Sequence, residues 1–209
     1  MSITPGSSFA GAVRNAMLVP PSANHARFRL MTGLTDPEIH CYEGSIGYSE
    51  LPEDSMRFSA QVSLLPATGR TFVDHSTAQM DSPRTEIGIN TELQENVIPL
   101  DVFSIWQREL LAIAGVSSIE ELASVDWSTF VHGLPSIQYT VYRSNDSRET
   151  AVRIVLEPAD FIQVLPQGAN VMLAPCQSIT NCALGTSALK YISVFLDYEN
   201  SRIGFCEPI

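Results

Sequence analysis

The chain has 209 residues, 44% hydrophobic and 17% charged. That suits a globular core built without staples and excludes a disordered segment. With 12 Lys and Arg against 23 Asp and Glu, the formal net charge is −11. This sign repels nucleic-acid phosphates and anionic lipid surfaces, so neither a nucleic acid nor a membrane is expected as a partner. Acidity of this kind suits work at low pH and serves solubility equally well. No stretch approaches the roughly 20 apolar residues of a membrane span. The opening MSITPGSSFAGAVRN has no basic region leading into an apolar run, so no signal peptide is visible.

In chain order, residues 8–18 read as a possible short helix, and Thr35-Asp36-Pro37 as a turn. Phe58, Ala60, Val62 and Leu64 alternate with polar residues, the period of a half-buried strand. Asp101 to Ala114 reads as a helix, with Pro99 near its start and Gly115 just past its end. Phe103, Trp106, Leu110 and Ile113 share one face of it at helical spacing. Ser117 and Glu120 form a capping-box pattern before Leu122, which predicts a second, shorter helix. Strand periodicity returns at Ile137, Tyr139 and Val141, and again at Val152, Ile154 and Leu156. Ser144–Ser147 and Pro166-Gln167-Gly168 punctuate these runs. Tyr191 to Leu196 is apolar at nearly every residue, as expected of a strand covered on both faces. The whole predicts an all-β fold: strongly twisted, mainly antiparallel sheets with two or three packed helices.

Cys41, Cys176, Cys182 and Cys206 show no zinc-ligand spacing, and His40 beside Cys41 is no ligand set by itself. No metal and no cofactor are expected. Four cysteines allow two disulfides, with Cys176 to Cys182 closing a short loop, and equally allow four buried thiols. Asn145-Asp146-Ser147 is an N-glycosylation sequon.

The candidate for chemistry is Asp74, in Thr71-Phe72-Val73-Asp74-His75-Ser76-Thr77. A carboxylate closing an apolar run, followed by hydroxyl residues, is placed where desolvation and nearby donors tune its acidity. The same pattern also begins ordinary structural turns. Asp81, Asp101, Asp126, Asp160 and Asp197 fall at turns, helix starts or strand ends, so no second such carboxylate is present.

Several segments together are similar to the C-terminal lobe of pepsin-like aspartic peptidases. Tyr42 to Tyr48 resembles the strand that opens that lobe. Phe72-Val73-Asp74-His75-Ser76-Thr77 resembles its active-site motif, two apolar residues followed by Asp, Thr or Ser, Gly, and Thr or Ser. Leu134-Pro135-Ser136-Ile137 and Leu156 to Ile162 resemble two later elements. Ala183-Leu184-Gly185 and Tyr191 to Phe205 resemble the C-terminal signature, an apolar-Leu-Gly arm and then a strand with an Asp turn. On this resemblance residues 28–209 form the lobe, and residues 1–27 are a remnant of, or connector from, the preceding one.

The resemblance implies peptide-bond hydrolysis by two aspartates sharing one proton, since two carboxylates at roughly 3 Å cannot both ionise. Asp74 would be the catalytic member, supported by His75, Ser76, Thr77 and Gly185, with Thr77 and Ala78 meeting substrate. Asp74 is expected on a loop beside Gly185. The second acid has to come from another lobe or a symmetric partner. His75 and Ser76 depart from the motif's hydroxyl and Gly, which points to decay or to a new donor for Asp74. The implied partners are a polypeptide substrate or ligand and a second lobe or a homodimer. Secretory, vacuolar or lysosomal compartments follow from the resemblance alone. The alternative is an inactive, peptidase-like peptide-binding module.

Overall fold

The computed structural model describes residues 46–52, 55–72, 82–176, 181–197 and 200–206. Among the described residues strands predominate over helices, which are few. The alternating segment forms β1's long neighbour: after β1 (Gly47–Glu50) comes β2 (Arg57–Leu65), in which Phe58, Ala60, Val62 and Leu64 are all buried. Ser59 and Ser63 on the opposite face are buried too, so β2 is covered on both sides. β3 (Thr85–Ile89) and β4 (Asn96–Pro99) follow, then α1 (Leu100–Ala114).

α1 has nearly the expected bounds. Gly115 adopts the left-handed conformation at φ 71°, and its N–H and that of Val116 close the last turn on Ala112 and Leu111. The buried face is rotated from the predicted one. Val102, Ile105, Trp106, Glu109 and Leu110 are buried, while Phe103 and Ile113 are only partly so. The helix lies on β9, β2 and β4, which reach further round it than a single apolar stripe indicates. The second helix is a single 3-10 turn, Glu120–Ser124. Its cap differs from the predicted box: the carboxylate of Glu121, not Glu120, accepts from Ser117 N–H at 3.1 Å.

β5 (Ser136–Tyr142) and β6 (Thr150–Leu156) form an antiparallel hairpin beside β2. A four-residue helix, α2 (Pro158–Phe161), then leads to β7 (Ile162–Val164), β8 (Ala169–Val171) and β9 (Leu173–Cys176). β10 (Cys182–Leu184), β11 (Ser193–Asp197) and β12 (Arg202–Cys206) complete the described strands. A seven-stranded sheet runs β6-β5-β2-β3-β10-β4-β9, and a three-stranded one β1-β12-β11. Phe58 of β2 and Phe205 of β12 meet edge to face at 4.8 Å, joining the two sheets in one core.

Pairing is mainly antiparallel, as expected; β3 with β10 and β4 with β9 are the parallel pairs. One outcome differs from expectation: the apolar run from Tyr191 is not a doubly covered strand. Tyr191 is 45% exposed, and all five residues of β11 are half-buried, because β11 is the outer strand of its sheet. The possible helix at 8–18 and the opening segment Tyr42–Ser45 lie outside the described residues.

Candidate functional site

β3 and β4 are consecutive but do not pair with each other. β10 is inserted between them, parallel to β3 and antiparallel to β4. Residues 90–95 must therefore pass over the end of β10. The register sets Cys182 against Ile87, Ala183 against Gly88 and Leu184 against Ile89. Asn90 N–H then donates to Leu184 C=O at 3.0 Å, Thr186 N–H to Leu93 C=O at 2.9 Å, and Ser187 N–H to Gln94 C=O at 3.2 Å.

The crossing closes around Gly185. A Cβ there would collide with the backbone carbonyl of Glu95 and stand 3.0 Å from that of Gln94. Fully buried Asn96 fastens it from below: Oδ1 accepts from Gly185 N–H at 2.9 Å, and Nδ2 donates to Ser187 Oγ at 2.8 Å. Asn96 N–H donates to Met172 C=O at 3.0 Å. Buried carboxamides are tolerated where their donors and acceptor are satisfied in this way.

Asn90, half-buried, follows the apolar end of β3 in Ile87-Gly88-Ile89-Asn90-Thr91-Glu92. Its Oδ1 accepts from Glu92 N–H at 3.0 Å, closing a turn on itself. The sequence-predicted residues divide here. Gly185 sits at the crossing. Asp74, His75, Ser76, Thr77 and Ala78 lie outside the described residues. The described loop that abuts Gly185 is the one beginning at Asn90. Asn90 carries no carboxylate, yet a short polar side chain between Gly88-Ile89 and Thr91, shortly before Val97-Ile98-Pro99 and a helix, is a signal visible in the sequence. Nothing in the sequence marked Asn96 and Ser187 as buried.

The other acids are structural where described. Asp101 lies in the first turn of α1, and Asp126 accepts from Ser128 N–H at 3.0 Å. Asp160 Oδ2 accepts from Glu157 N–H at 2.7 Å, and burial raises the pKa of this carboxyl above its ordinary range. Asp197 is held below the ordinary range by hydrogen bonds from Asn200 and Arg202, at 2.8 and 2.7 Å.

Next to the crossing, Cys176 and Cys182 are buried thiols, neither of them in a disulfide. Burial and the neighbouring Cys176 push the Cys182 thiol up to about 12. The Tyr139 hydroxyl is fully buried without a hydrogen-bond partner among the described residues, and that burial raises its pKa above the phenol range. A separate groove of about 440 Å³ runs between α1, the 3-10 turn and β8–β9, walled by Phe103, Trp106, Leu110, Trp127 and Leu173. No residue of the crossing lines it.

Among the described residues, no cluster of His, Cys, Asp and Glu could hold a metal ion, and no helix is long and apolar enough to cross a membrane. Comparison with protein-family models returns no match, and comparison with curated proteins returns no significant one.

Proposed function

We propose that the chain is a peptidase-like lobe that works by binding polypeptide rather than by cleaving it. One observation carries this reading: the loop that abuts Gly185 begins with an amide, Asn90, where the resemblance calls for an acid. A carboxamide cannot share a proton with a facing aspartate, and a dyad needs two groups that titrate. Asn90 Oδ1 is also committed to the Glu92 N–H. The endopeptidase expectation rests on Asp74 and needs a second lobe or a symmetric partner to supply the other acid.

The polypeptide ligand is favoured by the open apolar groove with its two tryptophans and its rim residues Gln107 and Gln167. Aromatic walls with a few amides at the rim suit an extended apolar peptide better than a charged small molecule. The test is a titration with extended apolar peptides, followed by tryptophan fluorescence, with the peptide recovered and weighed by mass spectrometry. Saturable binding with intact peptide is the expected result. Cleaved peptide would restore the hydrolytic reading, and absence of binding would remove the present one.

A further inference from the structure

We propose that Asn145 carries an N-linked glycan, and that the protein therefore folds in the secretory pathway. Two independent observations converge. The first is the setting of the sequon, and the second is a disulfide elsewhere in the fold.

Asn145-Asp146-Ser147 is the chain's single Asn-X-Ser/Thr triplet. It falls at the tip of the β5–β6 hairpin, where Asn145 and Asp146 are exposed. The backbone of the tip is tied down while the Asn145 side chain is left to solvent. Arg84 donates to the carbonyls of Asn145 and Ser147, and its guanidinium lies 3.6 Å from the centre of the Tyr142 ring. Arg143 pairs with Glu149 across the base of the turn at 3.3 Å. No described group hydrogen-bonds the Asn145 carboxamide. Glycan transfer acts on a chain that is not yet folded, so what the fold must supply is room afterwards. This tip supplies it. β6 is the outer strand of the sheet, three strands away from β3 and further still from β10, so a sugar here leaves the crossing uncovered.

Cys206 is disulfide-bonded at the end of β12. Structural disulfides belong mainly to oxidising compartments, the same ones in which sequons are glycosylated. Cys176 and Cys182 remain thiols without conflict, because both are buried in the core.

The co-reactant is a lipid-pyrophosphate-linked oligosaccharide. Asn145 Nδ2 forms a bond to C1 of its first sugar, the C1–O bond to pyrophosphate breaks, and the lipid pyrophosphate leaves. The amide proton passes to the transferase. The experiment uses the product of the full gene made in a eukaryotic cell, treated with peptide-N-glycosidase. Tryptic cleavage after Arg143 and Arg148 isolates Ser144 to Arg148, which fixes the position in a product of any length. The expected result is loss of one glycan on treatment, with Asn145 converted to Asp in that peptide. Asn145→Gln and Ser147→Ala should each abolish the modification. Recovery of the unmodified peptide as the predominant form overturns the proposal. The peptide measurement on the unsubstituted protein needs no variant to fold.

Discussion

The crossing of β3, β10 and β4 and the three-stranded sheet β1-β12-β11 are both built from short strands, yet they are held in different ways. At the crossing, polar groups are buried and individually satisfied: Asn96, Ser187 and the N–H of Gly185 have no access to water and depend on one another. In β11 every residue is half-exposed, and its turn is held by Asp197 with Asn200 and Arg202 near solvent. Substitution at the first should cost the penalty of stranding buried groups, and at the second only what water does not replace. A site that must keep one geometry uses the first construction.

Three substitutions sharpen or break this contrast. Gly185→Ala should have the largest effect, a loss of roughly 3 kcal/mol in denaturant unfolding, because its Cβ meets backbone that cannot rotate away. A loss below about 1 kcal/mol would mean that the crossing is looser than described. Asn96→Ala should cost about 2 kcal/mol by leaving Gly185 N–H and Ser187 Oγ without their partner. Asp197→Asn should be smallest, and it has a sign with pH. The folded carboxyl has its pKa held below the ordinary value, so its stabilisation is present above about pH 4, the unfolded value, and is lost as pH falls through the lower folded value. Thermal unfolding of this variant should lie slightly below that of the parent at neutral pH and converge on it in acid. A constant gap across that range would contradict the assignment.

The sequence showed most of the scaffold and only part of the site. β2, β5 and β6 were legible because apolar residues recur at every second position in each. α1 was legible because Pro99 and Gly115 punctuate it. The run from Tyr191 misled because continuous apolarity does not distinguish a central strand from an outer one packed by its sheet's twist. Gly185 was reached through resemblance, and its close contact with Glu95 gives the physical reason for a glycine there. Asn90 and Asn96 were missed for a common reason. Asparagine reads as a turn residue, and its burial or its place at a strand end depends on pairing between segments some ninety residues apart, such as Ile89 with Leu184.

The most direct test is the initial rate of peptide-bond hydrolysis at about pH 4, near the carboxylate reference value, by the purified chain and its Asp74→Asn variant at matched concentration. The account predicts that both rates equal that of buffer. Turnover by the parent chain that disappears in Asp74→Asn would contradict it, since the acid would then be at work despite the amide at the crossing.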